Sequence, residues 1–138
     1  MKLLLGDCTE VLPTIESGSV DTIATDPPYG ISFLSMEWDT AASNAAFEEW
    51  CVPWLSECFR VLKPGGDVTI FSSPRTFHRV VRAMKRVGFS EVQVKGWVQT
   101  QGFPKSHDLG KYDSRFKGYG HALKPSWEPA LVGLKPAI

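Results

Sequence analysis

Short apolar segments of strand character alternate with longer segments of helical period along most of this chain, and that alternation limits the folds open to it. Residues 20–25 and 67–72 are short β-prone runs bounded by Gly, Pro, Ser and Asp, which is typical of strands. Residues 44–62 and 75–87 repeat apolar side chains at helical spacing. Strands that alternate with helices form a mostly parallel sheet with helices on both faces. The sequence therefore predicts an α/β fold.

Three further elements are predicted from weaker patterns: a brief helix at 9–15, a longer strand at 89–100 and a last strand at 128–134. Pro53 lies inside the 44–62 segment and is predicted to kink that helix or to divide it into two. Lys63-Pro64-Gly65-Gly66 is predicted to end the helix before the next strand begins. Residues 30–40 show no clean period and are predicted to form a loop.

The length of 138 residues and an apolar content of 43% suit one domain with a modest core. Fifteen basic and fifteen acidic residues give no net charge, so a DNA-binding surface would have to be a local basic face. Three widely spaced cysteines without a CxxC pair indicate neither a disulfide framework nor a zinc site, and no metal site is predicted. We expect a cytoplasmic protein, because the leading apolar run stops at Gly6 and is too short to cross a membrane.

Asp26-Pro27-Pro28-Tyr29 directly follows the predicted strand at 20–25. The two prolines remove two backbone donors and stiffen the turn, which presents bare carbonyl oxygens. The Asp26 carboxylate accepts hydrogen bonds and the Pro27 carbonyl is a second acceptor, so the pair can hold both hydrogens of an exocyclic amine. Tyr29 offers a flat face on which an extruded base can stack. The alternative is an ordinary turn after a buried strand.

Polar residues also follow other predicted apolar runs. Asp7 ends the first run, and Ser72-Ser73-Pro74 lies at the end of the 67–72 strand. Because the carboxyl ends of parallel strands meet at one edge of a sheet, we expect these residues to converge with Asp26.

Asp26-Pro27-Pro28-Tyr29 resembles the catalytic motif of the amino-group DNA methyltransferases. Further segments resemble the phage and bacterial adenine methylases of this family and span nearly the whole chain in one order: Leu5-Gly6-Asp7-Cys8, Tyr29-Gly30-Ile31-Ser32-Phe33, Glu37-Trp38-Asp39, Val61-Leu62-Lys63-Pro64-Gly65-Gly66, Gly102-Phe103-Pro104-Lys105-Ser106-His107, and Lys124-Pro125 with Trp127-Glu128-Pro129. The resemblance implies a Rossmann-like methyltransferase fold. It also implies direct transfer of a methyl group from S-adenosylmethionine to the amine of a flipped-out base in double-stranded DNA.

The resemblance further assigns roles to single residues. Asp26 and the Pro27 carbonyl are implied to hold the target amine, Pro28 completes the stiff loop, and Tyr29 is implied to stack on the base. Asp at the first position is the form usual in adenine-N6 enzymes, with cytosine-N4, RNA or protein amines as alternatives. Asp7 and Cys8, together with Asp26, are implied to border the cofactor. The alternative for Asp7 is a helix N-cap.

Phe33, Glu37 and Trp38 follow the Asp-Pro-Pro-Tyr motif and are predicted to wall the base pocket, with aromatic packing under a long loop as the alternative. Residues 101–126 interleave basic and aromatic side chains and are predicted to face DNA, because cations meet phosphates and rings meet unstacked bases. The candidates in this segment are Lys105, Ser106, His107, Lys111 and Lys124. The alternative is a solvated, charge-rich loop.

One part of the family pattern does not occur in the sequence. The Phe-x-Gly-x-Gly loop that cradles the methionine end of the cofactor is not found, and Gly118-Tyr119-Gly120 neither follows a strand nor opens a helix. We therefore expect residues 1–138 to form an incomplete methyltransferase domain with an open sheet edge. The alternatives are a piece of a longer methylase, a short protein completed by a second copy or another polypeptide, and a degenerate remnant. A non-catalytic DNA-binding module is the competing function.

Overall fold

The computed structural model describes residues 2–41, 43–102, 108–120 and 125–137. Its regular elements in chain order are α1 Cys8–Val11, β1 Val20–Thr25, α2 Asn44–Val61, β2 Leu62–Phe71, α3 Phe77–Val87, β3 Ser90–Val98 and β4 Trp127–Leu134. Short 3₁₀ turns lie at Leu12–Thr14, Phe33–Ser35, Glu37–Asp39, Leu109–Lys111 and Ser114–Phe116. The chain divides into two compact units, Met1–Lys95 with Pro129–Ile138, and Gly96–Glu128.

The four strands form one sheet in the order β1-β2-β4-β3. β1 and β2 are parallel, whereas β2 and β4 are antiparallel, so the sheet is mixed. β1 lies at an edge and has β2 as its sheet partner within the described part of the chain. The α/β class predicted from the alternation is confirmed, and the predicted bounds of β1 agree with the structure.

β2 begins earlier than the sequence predicted. Val20 pairs with Leu62 and Thr22 pairs with Asp67, so residues 63–66 form an irregularity inside the strand. The amide of Gly65 donates to the carbonyl of Lys135, and the Lys135 amide donates to the Gly66 carbonyl, each at 2.9 Å. The prediction that Lys63-Pro64-Gly65-Gly66 precedes the strand was therefore wrong, because these backbone groups pair with the segment after β4.

α2 is one helix of 18 residues with Pro53 inside it, so the predicted division into two helices does not occur. Proline removes the hydrogen bond that its amide would give to the carbonyl four residues earlier. Pro53 and Glu49 both lie on the exposed side, where water can satisfy that carbonyl. The opposite face is buried and holds the helix in place through Phe47, Cys51, Trp54, Leu55 and Cys58.

The core lies between β2, β4 and the helices α2 and α3, which pack against each other. Leu55, Leu62, Ile70, Met84 and Leu131 are among its fully buried side chains. Complete burial of side chains of this size contributes roughly 1.5–3 kcal/mol each. No helix in the described ranges is long and apolar enough to cross a membrane.

A charged cluster joins α2 to α3 beside this core. The Glu48 carboxylate is 4% exposed and lies 3.4 Å from Arg79, 2.9 Å from Arg82 and 3.2 Å from Arg86. Burial alone raises the pKa of this carboxyl. The hydrogen bonds from Arg86 and Arg79 and the charges of Arg82 and Arg86 outweigh burial, and the pKa of Glu48 falls below its usual value.

Candidate active site

The Asp26-Pro27-Pro28-Tyr29 segment, called the 26–29 loop below, leaves the carboxyl end of β1. Thr25 pairs with Ile70, so the residues that follow β1 and β2 emerge at the same edge of the parallel pair. A direct bond joins the two segments, because the Thr76 hydroxyl donates to the Tyr29 carbonyl at 2.7 Å. The predicted convergence of Asp26 with Ser72-Ser73-Pro74 therefore agrees with the structure.

The chain after the 26–29 loop folds back over it. Residues 30–40, which were predicted to form a loop, contain the two short 3₁₀ turns Phe33–Ser35 and Glu37–Asp39. Asp39 is 2% exposed, and its carboxylate accepts hydrogen bonds from the backbone amides of Gly30 and Phe33, each at 2.7 Å, and from that of Ile31 at 3.2 Å. Sequence reasoning assigned roles to neither Asp39 nor Thr76.

A pocket of about 210 Å³ opens beside the 26–29 loop. Its walls combine the loop with the two aromatic residues predicted to line a base pocket, and they are Asp26, Pro27, Pro28, Tyr29, Ile31, Phe33, Trp38 and Asp39. Sites for drug-sized ligands occupy roughly 300–1,000 Å³, so this pocket suits a single heterocyclic ring. Phe33 and Trp38 are 51% and 60% exposed, and Glu37 is not among the residues that line this pocket. The role of the two aromatic residues in holding a base stays a prediction.

Trp38 also borders two neighbouring cavities. One has a volume of about 240 Å³ and extends to Phe47 and Trp50 on α2. The other has a volume of about 640 Å³ and extends along β1 to the amino-terminal segment, with Asp7 and Cys8 in its wall. Trp38 and Pro28 are thus shared by all three spaces.

Asp7 and Cys8 lie at the start of α1. The Asp7 carboxylate accepts from the Thr9 amide at 2.8 Å and from the Thr9 hydroxyl at 2.6 Å, and these bonds hold the pKa of Asp7 below its usual value. Burial, followed by the charge of Asp7, raises the pKa of the Cys8 thiol. The N-cap alternative for Asp7 is therefore observed. Both residues also line the cavity of about 640 Å³, which is called the largest cavity below because it exceeds the other two. A cofactor contact by either residue stays a prediction.

The predicted DNA-facing segment falls within the second compact unit. Lys111 ends an exposed 3₁₀ turn there, and Tyr112 and Tyr119 are exposed near it. The predictions for Lys105, Ser106, His107 and Lys124 lie outside the described residues. Among the residues that are described, no group of three or more His, Cys, Asp or Glu is arranged to hold a metal ion.

The family model described as DNA methylase, which covers N6 and N4 methyltransferases, matches residues 20–135. The chain therefore belongs to the DNA methylase family.

Relatives of known name support this assignment. Type II methyltransferase M.HinfI of Haemophilus influenzae is 31% identical over 116 residues, which cover 74% of this chain and 32% of that protein. Type II methyltransferase M.BamHI of Bacillus amyloliquefaciens is 37% identical over 78 residues, covering 54% of this chain and 18% of that protein. The chain thus spans a third or less of the length of these two relatives.

Solved structures share the architecture. The PvuII DNA methyltransferase, described as cytosine-N4-specific, has a TM-score of 0.69 and 17% identity, with 96% of this chain and 48% of that chain covered. The complex of M1.HpyAVI with S-adenosylmethionine has a TM-score of 0.59 and 18% identity, with coverage of 96% and 54%. At these identities the likeness shows the fold, and the predicted Rossmann-like methyltransferase fold is confirmed.

S-adenosylmethionine is the cofactor of this family, and the largest cavity fits part of it. The volume of about 640 Å³ lies within the usual range for a small-molecule site, and its walls are mainly apolar. Trp54 lines the cavity, and its indole Nε1 is buried without a hydrogen-bond partner among the described residues. A buried donor without an acceptor is costly, and a bound nucleoside can offer acceptors. The residues present therefore fit the flat nucleoside half of the cofactor.

Proposed function

We propose that this chain carries the catalytic half of a DNA adenine-N6 methyltransferase. The observation that carries the proposal is the 210 Å³ pocket, in which Asp26 and Pro27 share walls with Phe33 and Trp38. Two acceptors stand beside flat apolar faces in this pocket, which is the combination needed to hold an aromatic base by its amine. Asp at the first position of the loop favours adenine over cytosine.

The residues of the chain act by holding and orienting the base. The Asp26 carboxylate and the Pro27 carbonyl accept the two amine hydrogens, which directs the nitrogen lone pair away from the ring plane. Tyr29, Phe33 and Trp38 hold the extruded base by stacking and by closing the pocket around it. S-adenosylmethionine, when bound, supplies an electrophilic methyl group. Asp7, Cys8 and the Pro27–Pro28 turn line the cavity that suits its nucleoside.

The proposal extends to the partners. Double-stranded DNA is the proposed substrate, and the exposed basic and aromatic residues of the second unit are proposed to contact its backbone and bases. A second copy or another polypeptide beside β1, and a cytoplasmic location, stay predictions. The edge position of β1 is the feature that motivates a partner there.

The test is methyl transfer from labelled S-adenosylmethionine to duplex DNA, with N6-methyladenine and N4-methylcytosine separated by mass spectrometry. We expect N6-methyladenine, and we expect Asp26→Ala to reduce turnover at least about 100-fold while folding is retained. Asp21→Asn is the matched control, since Asp21 is an exposed carboxylate paired with Lys63 at the other end of β1. Unchanged turnover in Asp26→Ala would overturn the proposal. Detection of N4-methylcytosine, or of methylated RNA or protein, would show that the substrate differs from the proposed adenine.

A DNA-binding module without catalysis is the second candidate. Among the described residues that line the largest cavity, Asp7 is the charged one, and none is a lysine or arginine that could pair with a methionine carboxylate. Calorimetry with S-adenosylmethionine separates the candidates. Binding supports the enzyme, whereas no binding at millimolar ligand together with intact DNA binding supports the module.

A further inference from the structure

Asp39 lines the 210 Å³ pocket, and its buried carboxylate binds the backbone that follows the 26–29 loop. It accepts three hydrogen bonds from the amides of Gly30, Ile31 and Phe33, all within the four residues that follow Tyr29. The Asp39 carbonyl also accepts from the Ser32 amide at 2.9 Å. Asp39 therefore accepts hydrogen bonds from the amides of four consecutive residues, 30–33. The backbone conformation of this segment thus depends on one residue.

The segment that Asp39 holds is strained. Gly30 has φ of 66°, and the non-glycine residues Ser32, Leu34 and Ser35 have φ of 55°, 50° and 57°. Left-handed φ is unfavourable for residues with a Cβ, and such residues persist when the surrounding structure dictates their conformation. The hydrogen bonds to Asp39 restrain residues 30–33, and the bonds from the Ser35 amide to the Ser32 carbonyl and from the Met36 amide to the Phe33 carbonyl restrain the rest of the segment.

A second tie fixes the other side of the loop. Thr76, which is 4% exposed at the start of α3, donates its hydroxyl to the Tyr29 carbonyl at 2.7 Å. The Thr76 amide in turn donates to the Ser73 carbonyl at 3.1 Å, so the threonine is itself anchored after β2. The Tyr29 carbonyl is thus bound by Thr76 at the start of α3, and the amide of the next residue, Gly30, is bound by Asp39.

We propose that Asp39 and Thr76 are positioning residues that hold the 26–29 loop in its base-binding shape. The proposal rests on the proposed function for its catalytic consequence. Its physical basis is that β1 is an edge strand and that no residue of the 26–29 loop is fully buried. The Asp39 carboxylate accepts hydrogen bonds from three amides, and the buried Thr76 hydroxyl donates one to the Tyr29 carbonyl. These bonds give the loop the rigidity that burial alone does not give it.

The experiment compares Asp39→Asn with Asp21→Asn, which removes the same charge at an exposed pair. Hydrogen exchange of the backbone amides is read at Gly30 and Phe33, with Ile70 in the core as an internal reference. Asparagine keeps one acceptor but places a donor against the amides, so we expect exchange at Gly30 and Phe33 to accelerate at least about tenfold. Ile70 and the control variant are expected to be unchanged. Unaltered exchange at Gly30 and Phe33 would overturn the proposal, whatever the activity of the protein.

The kinetic arm uses Thr76→Val and Thr76→Ser, which differ by the presence of the hydroxyl. We expect Thr76→Val and Asp39→Asn to lower kcat roughly 10- to 100-fold, with KM for DNA and Kd for S-adenosylmethionine within about twofold of wild type. Thr76→Ser is expected to restore kcat. Equal activity of the valine and serine variants would overturn the role of Thr76. An inactive wild-type chain refutes the proposed function instead, and the exchange result still decides whether Asp39 holds the loop.

Discussion

β1 and β2 run side by side in parallel and send their following residues to the same edge, yet they are supported in different ways. β2 is central, and its Leu62, Val68 and Ile70 side chains are completely buried. β1 lies at the edge and contains no fully buried residue. The core of the molecule is therefore built on β2, β4, α2 and α3, whereas the 26–29 loop, which is the candidate site, follows the less buried strand.

This difference indicates that packing in the core does not by itself fix the conformation of the candidate site. Arg60 on α2 ties the amino-terminal segment down by donating to the carbonyls of Leu12 and Ile15 at 2.8 and 2.9 Å. Asp39 and Thr76 hold the 26–29 loop through hydrogen bonds. Hydrogen bonds of polar side chains thus stabilise the structure around β1, whereas apolar packing stabilises the structure around β2. We expect mutations in the two regions to have different effects.

The largest expected effect is the loss of a β2 core side chain. Ile70→Ala removes atoms from a fully packed site and is expected to lower the free energy of unfolding by about 2–5 kcal/mol. Ile23→Ala makes the same change on β1, where the side chain is half-buried, and is expected to cost about 1 kcal/mol. Urea unfolding of the two variants measures the contrast. Equal costs would contradict the distinction between the strands.

Gly30→Ala tests the space next to the catalytic loop. A Cβ there would lie 2.5 Å from the Phe47 ring, on a residue whose φ is 66°. We expect a loss of about 2–4 kcal/mol from overpacking and backbone strain together. Gly18→Ala is the control, since its φ is 63° and a Cβ there meets nothing within 4 Å. Its cost of about 1 kcal/mol isolates the strain, and an equal cost for both variants would show that the Phe47 contact is harmless.

On the core side, Glu48→Gln tests the charged cluster between α2 and α3. The folded-state pKa of Glu48 lies below the usual value of 4.5, so its stabilisation is complete above about pH 4.5 and is lost as the pH falls through the lower folded-state value. We expect Glu48→Gln to lower Tm at pH 7 by about 2–5 °C and to flatten the acid side of the stability curve. Thermal melts between pH 2 and 7 measure both effects.

Glu49→Gln is the control for this variant, because Glu49 pairs with Arg86 but its side chain is 66% exposed. It should change Tm less than Glu48→Gln does, since exposed ion pairs contribute little. A pH profile of Glu48→Gln that matches wild type would rule out the cluster as the source of acid sensitivity.

On the edge side, the smallest effect is expected at Cys8. Burial raises the pKa of the Cys51 and Cys58 thiols to about 12, so neither should react with an alkylating reagent in the folded protein. Cys8 is exposed and lines the largest cavity. S-adenosylmethionine at ten times its Kd is expected to slow alkylation of Cys8 about tenfold, as measured by mass spectrometry. Undiminished alkylation at saturating ligand would place the cofactor away from Cys8.

The sequence predicted those elements that local chemistry determines. β1 is bounded by turn residues on both sides, and its limits were predicted correctly. The start of β2 was predicted incorrectly, because Gly65 and Gly66 pair with Lys135 and no local sequence pattern reveals that pairing. Pro53 favours a helix break, but the buried face of α2 overrides it. Tertiary contacts decided each of these points.

The same holds for the site. The 26–29 loop was predicted as the candidate site because its four adjacent residues resemble the catalytic motif of the family, and that role stays a prediction. Asp39 lies in a segment without periodicity, and its role depends on a left-handed backbone path that brings three amides to one carboxylate. An isolated acid beside Trp38 gives no local sign of that arrangement. The residues of the 101–126 segment remain predicted contacts.

The order β1-β2-β4-β3 also has a consequence for how the molecule reaches its native state. β4 inserts between β2 and β3 although it follows both in the chain, so that Ile70 finds its neighbour Leu131 only after β3 has been made. During synthesis, the 26–29 loop leaves the ribosome long before the strand that completes the sheet around β2. Such non-local pairing slows folding toward milliseconds to seconds. Until β4 arrives, one edge of β2 is exposed, and this nascent intermediate is the form most open to aggregation or to capture by a chaperone.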